Sequence, residues 1–284
     1  MKTFLVLALF FGLNSLIPRE KEKSNVIILP PGETIVYFPI ILKSGDRLIG
    51  SQNSILKLAD KSNCPVLVIG NIDDTPGRSE DIFVSGFTID GNRENQEYEM
   101  FGLTQNRNNG VNIRNCANVF VSNLKVKNCI SGGIVLERGC ERVIITNCES
   151  TNNYFDGLAA YVTENCFFSD LVLSGNLHAG MSFDLGFNSN LISNVLISGN
   201  GHQGIFMRDS NNNYFQGGYL ISNLKQGIFI AKAEGETAAS NNIFYKFNFF
   251  NNKENLRIND KECIGNRLIE PVYNDGNYIV ENLK

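Results

Sequence analysis

Apolar residues in the middle of this chain recur in one short phrase: a glycine, then apolar side chains one and three positions on. The phrase reads GVNI at Gly110, GIVL at Gly133, GLAA at Gly157, GMSF at Gly180, GIFM at Gly204 and GIFI at Gly227, at intervals of 23, 24, 23, 24 and 23 residues. A second apolar set starts at Val119, Val143, Phe167, Leu191 and Tyr214, and an asparagine set falls at Asn128, Asn152, Asn176, Asn200 and Asn223. Three registers sharing one period mark a repeat architecture. Strands of four or five residues cannot bury a face alone, so such units must stack, each strand pairing with its equivalents ~4.8 Å above and below. The expected fold is all-β, a parallel β-helix solenoid with 23–24-residue coils. The asparagines are expected to bond one another as a ladder at a buried corner, and the glycines to supply positive φ or close backbone approach. Asp81–Asn92 and Asn241–Asn252 extend the pattern, and the run from Val26 to Leu58 reads as the entry coils.

Alternation within a strand sorts the side chains. Positions one and three after each glycine face inward; positions two and four are expected outside. Two on are Asn112, Val135, Ala159, Ser182, Phe206 and Phe229; four on are Arg114, Glu137, Tyr161, Asp184, Arg208 and Ala231. At the corner before the glycines stand Asp156, His178, His202 and Lys225, so both histidines of the protein share one column. Two longer links, Asn92–Asn106 and Ala231–Ser240, are placed to wall a groove over the middle coils, since insertions in solenoids map to loops. Exposed Phe206 and Phe229 beside polar groups suit stacking on sugar rings.

Composition narrows the reading. A net charge of −4 gives no footprint for nucleic acid. Seven cysteines without CxxC or Cys/His spacing argue against a structural metal site. Cys116 and Cys140 occupy equivalent places, within disulfide reach or as stacked reduced thiols, the latter preferred. Asp73-Asp74 and Glu80-Asp81 are candidate Ca²⁺ ligands, solvated acids being the plainer account. The apolar run after Lys2 is short for a membrane span and marks residues 1–24 as a signal peptide or hydrophobic anchor. That places the protein outside the cell or in its envelope, with residues 25–284 as one domain and no further membrane contact.

The repeat, with GDRLIGSQNSILKL and GFTIDGNRENQ, resembles the pectate-lyase-like right-handed β-helix superfamily, and the rungs NNYFDGLAAY, SGNLHAGMSFD and SGNGHQGIFMRD are most similar to its mannuronan C5-epimerase branch. Right-handedness follows from that resemblance and from the rule for parallel crossovers. The branch carries Tyr-Gly-x-Asp-Pro-His one rung before an Asp-Gly. Here Asp156-Gly157 matches the latter, while Gly132–Glu137 lacks the former. The resemblance implies a lyase or epimerase acting on a uronic-acid polysaccharide by removing the proton α to the C5 carboxylate. In that scheme Tyr161 is the acid/base, Arg208 neutralises the carboxylate and Asp184 orients one of them. Asp156, His178 and His202 lie at the groove end, a histidine being the alternative base, and Arg114, Glu137, Phe206, Phe229 and Lys225 bind substrate. Two other readings stay open: hydrolysis by Glu137 and Asp184, ~9.6 Å apart over two coils, and a non-catalytic adhesin or binding module.

Overall fold

The computed structural model describes residues 24–73, 77–100, 107–233 and 237–274; the expected leader lies almost wholly outside them. The chain winds into a right-handed parallel β-helix of about ten turns of about 24 residues. Two long parallel sheets run along it, of 15 and 13 strands. In the smaller sheet, Val111–Arg114, Ile134–Glu137, Leu158–Glu164, Met181–Asn188, Ile205–Arg208 and Gln226–Ala231 pair in order. Their register aligns Val111, Ile134, Leu158, Met181, Ile205 and Ile228, the residues after the six glycines. Ile40 and Leu67 continue this column upstream and Leu256 downstream, so the entry and exit coils belong to the same stack.

Positions one and three after the glycines are buried, as the alternation requires: Ile134, Leu136, Met181, Phe183, Ile205, Met207, Ile228 and Ile230 are at most 1% exposed. With no tryptophan, phenylalanine fills the wider part of the core. Phe183 stacks on Phe187 at 3.9 Å between ring centres, and Phe215 on Phe244 at 4.5 Å.

The asparagine ladder forms one residue out of the expected register in its first two coils. The bonded column is Asn153, Asn176, Asn200, Asn223 and Asn252, each side-chain amide donating to the next carbonyl oxygen at 2.9–3.0 Å. Each ladder amide from Asn176 onward also reaches a main-chain carbonyl inside the coil, as Asn200 does at Leu173. Asn128 and Asn152 instead take left-handed backbone, with φ of 53° and 55°, at the preceding corner. Gly175 and Gly199 hold that corner in the following coils, at φ of 66° and 62°, which is why simple spacing merged two columns. A second ladder, Asn190, Asn213, Asn242 and Asn266, follows the same rule at the corner before the larger sheet. The second apolar set is likewise offset at its start: Phe120 and Ile144, not Val119 and Val143, align with Phe167, Leu191 and Tyr214.

The rung glycines do not need positive φ. They are needed because the adjacent coil leaves no room: a Cβ on Gly180 would run into Ile197, and one on Gly133 into Ser150.

All seven cysteines are free and buried. Cys116 and Cys140 lie in adjacent strands, their thiols donating to Ile69 and Ile113 carbonyls at 3.2 and 3.3 Å. Burial raises both, Cys140 to about 11, so neither is a reactive thiolate at neutral pH.

Candidate functional site

The fold stacks the expected row in order, Arg114 beside Glu137 and Tyr161 beside Asp184. Two ion pairs divide it. Arg114 Nε lies 2.9 Å from Glu137, and Arg208 grips Asp184 Oδ2 through Nε at 3.0 Å and Nη2 at 2.5 Å. The expectation that the whole row faces solvent is corrected for Arg114 and Asp184, which are 3% and 5% exposed. Arg114 turns under the link that follows Gly70, donating to the Ile72 carbonyl at 2.5 Å. Asp184 is held under Arg208, and Ala231 is buried as well. Two positions after the glycines, Asn112, Val135, Ala159 and Ser182 are also buried, whereas Phe206 and Phe229 are half-exposed. The chain entering the Gly110 coil covers the first of them: Asn112 bonds Asn109 and the Arg107 carbonyl.

A cleft of about 400 Å³ opens beside this row, lined by Arg107, Glu137, Arg138, Phe155, Asp156 and Tyr161 among others. Asp156 is its most perturbed group. It is 4% exposed and accepts the Ala179 N–H at 2.8 Å. Burial raises its carboxyl from 3.8 to about 7, against the lowering effects of that bond, of the Ser182 hydroxyl and of the Arg107 charge. Tyr161 is pushed up to about 12 by burial first and by the Asp156 and Asp184 charges next, against the lowering effect of the Arg107 charge. The cleft thus places a carboxyl that titrates near neutrality beside a phenol that stays protonated. Opposed proton affinities in one cleft are the arrangement that acid–base chemistry uses.

Arg107 is the cleft residue that spacing did not reveal. It ion-pairs with Glu99, which also accepts from Ser131 Oγ at 3.1 Å, and its guanidinium sits 4.8 Å from the Phe155 ring centre. Its signal was hidden because it follows an insertion, although it stands three residues before Gly110 in an otherwise regular corner.

Phe155 begins a row of rings. His178 stacks on it at 4.1 Å, and His202 lies tilted against His178 at 4.5 Å between ring centres. Backbone bonds run up this column from Phe155 to His178, His202, Lys225 and Lys253. Both imidazoles are held below their ordinary value, by burial first and then by the Lys225 charge. Phe206 and Phe229 stack at 5.6 Å, with Arg208 5.3 Å from the Phe206 ring. The expected residues thus fall into three groups: Asp156, Tyr161 and Glu137 in the cleft; His178, His202 and Lys225 along the corner; and Asp184, Arg208, Phe206 and Phe229 further along the sheet.

No three His, Cys, Asp or Glu side chains converge as a metal site among the described residues. Of the Ca²⁺ candidates, Asp81 bonds the Asn118 amide at 3.1 Å, and Asp74 lies outside the described residues. No described helix is long and apolar enough to cross a membrane.

Residues 77–283 match the family model described as periplasmic copper-binding protein (NosD). The preneck appendage protein of Bacillus phage PZA is 27% identical over 188 aligned residues, covering 58% of this chain and 22% of that protein. The chain therefore spans less than a quarter of that relative. Among solved structures, the N-terminal fragment of bacteriophage Phi29 gene product 12 superposes with a TM-score of 0.67 at 17% identity, over 87% of this chain and 52% of the fragment. The mannuronan C-5 epimerase AlgE6 A-module of Azotobacter vinelandii gives 0.64 at 16%, over 88% and 71%. At these identities the structural likenesses establish the fold alone.

Proposed function

The chain belongs to the NosD family, and from that premise we propose that it is an exported β-helix protein that binds a uronic-acid polysaccharide and removes the proton α to the C5 carboxylate. The observation that carries the reading is Asp156, buried in the cleft and titrating at about 7, with Tyr161 lining the same cleft. The Asp156 carboxylate takes the C5 proton, and the electron pair moves onto the sugar carboxylate, whose developing charge Arg107 neutralises. In an epimerase the Tyr161 hydroxyl returns a proton to the opposite face of C5. In a lyase the electron pair expels the glycosidic oxygen at C4, which takes the proton instead. Arg107 takes this role rather than Arg208 because it lines the cleft that holds Asp156 and Tyr161, which Arg208 does not.

The copper of the family description does not fit these residues. The two imidazoles lie tilted against each other and flanked by Lys225, the thiols are buried with raised pKa values, and Met181 and Met207 are core residues with no exposure.

The appendage likeness favours a second reading, a non-catalytic virion or surface binding module. The two separate on one experiment: incubation with uronic-acid polysaccharides in heavy water, following C5 proton exchange by NMR and the ultraviolet absorbance of unsaturated product. Exchange lost in Tyr161→Phe supports the enzyme; silence from a folded wild type across the panel overturns it.

A further inference from the structure

The corner column beside the cleft carries a charge pattern that the proposed chemistry does not use. After Phe155 it presents His178, His202, Lys225 and Lys253, one per coil, each main-chain N–H of the last three donating to the carbonyl of the residue before at 3.0–3.1 Å. At one coil per ~4.8 Å, the run from His178 to Lys253 spans about 14 Å along the solenoid axis. Both lysines are exposed, both histidines half-exposed, and neither lysine side chain has an acidic partner among the described residues. Glu254, next to Lys253, is already satisfied: Arg257 holds it at 2.5 and 2.7 Å, and the Gln226 amide donates to it at 3.1 Å. An apolar ridge flanks the column on one side, with Tyr154, Leu177 and Leu224 47%, 48% and 69% exposed. On the other side stand the cleft and the linked amides of Gln203 and Gln226.

We propose that the His178–His202–Lys225–Lys253 column is an extended subsite that binds the successive carboxylates of a uronate polymer lying parallel to the solenoid axis, its sugar faces against the Tyr154–Leu177–Leu224 ridge. The inference rests on the uronate reading of the cleft and makes a polymer, rather than a short oligosaccharide, the ligand. The reason is geometric: evenly spaced basic side chains beside apolar surface and amide donors match a chain whose repeating unit carries one carboxylate, one apolar face and several hydroxyls. A nucleic acid shares the charge but has no need of the ridge.

The column also makes binding depend on pH. The groups acting on His178 are Arg107 and Lys225, and those on His202 are Lys225 and His178; all are cationic or become so. In the free protein, burial first and these charges next hold the imidazoles below their ordinary value. An anionic ligand compensates the charges, so binding takes up protons and tightens as pH falls from about 7 to about 5.

The test is equilibrium binding of long polyuronate, of the same polymer reduced to neutral sugars, and of single-stranded DNA of matched length. The proteins are the wild type, Lys225→Gln/Lys253→Gln and His178→Gln/His202→Gln. Removing two exposed cations is expected to weaken polyuronate binding about tenfold and to flatten its salt dependence. The neutral polymer should be unaffected, and the histidine variant should lose the gain at low pH. Unchanged polyuronate affinity in the lysine variant overturns the proposal, as does equally tight binding of DNA. If the wild type shows no C5 exchange yet binds polyuronate through Lys225 and Lys253, the catalytic reading fails and the subsite stands. If exchange occurs and the lysine variant keeps its KM on long chains, the subsite fails and the catalytic reading stands.

Discussion

Asp156→Asn tests the central physical claim, that a buried carboxyl in the cleft titrates near neutrality. Raising its pKa from 3.8 to about 7 means that the folded state holds a proton which the unfolded state releases between those values. The folded form binds more protons there, so stability must fall as pH rises through that window and level off above about 7. Three units at 1.36 kcal/mol each amount to about 4 kcal/mol, with a slope approaching 1.4 kcal/mol per pH unit. Asparagine copies the protonated form: its Oδ1 can still accept from the Ala179 N–H, and it carries no charge to desolvate. His178 and His202 act in the opposite sense. Their folded values lie below 6.5, so their contribution is lost as pH falls below that value. Comparing wild type with variant cancels them. Urea unfolding of both proteins from pH 4.5 to 8.5 should therefore show the variant close to wild type at the acid end, gaining by several kcal/mol at the alkaline end. Two parallel curves would refute the reasoning, because they would mean that Asp156 ionises in the fold as it does in the open chain.

The same group sets the catalytic profile: C5 exchange should rise with pH through about 7 as Asp156 becomes a base, and Asp156→Asn should abolish it while circular dichroism is unchanged. Asn200→Ala removes a carbonyl that accepts from the Asn176 N–H and amide, and an amide that donates to Leu173 and Asn223; a loss of about 2–5 kcal/mol is expected from the stranded partners, read by denaturation. Gly180→Ala forces a methyl into Ile197 in the adjacent coil and should cost about 1–3 kcal/mol, where the same change at Gly139, half-buried at φ 95° with room for a Cβ, would instead report only backbone strain. The seven buried thiols should resist a thiol reagent in the folded protein and react together on unfolding; rapid labelling of the native state would contradict their burial.

The fold was legible in the sequence because a solenoid turns sequence period directly into spatial columns. Spaced glycines aligned the smaller sheet, and alternation separated Ile205 and Met207 in the core from Phe206 and Arg208 outside it. Even the two histidines could be placed one above the other from spacing alone. The one-residue slip of the asparagine column was not legible. Asn and Gly both serve at a left-handed corner, and Asn also serves in the adjoining ladder, so residue type did not tell the two positions apart. Spacing also could not reveal Arg107, since an insertion carries no period and only tertiary folding returns its end to the Asp156 cleft. Nor could it tell that Arg114 and Asp184 are buried and paired. Burial depends on which segments fold across a face, and a carboxyl's proton affinity depends on that burial. Spacing alone set the stack and its columns; only the folded chain settled which column residues are covered and which charges cancel, and hence that Asp156, rather than the exposed end of the row, has the perturbed proton affinity.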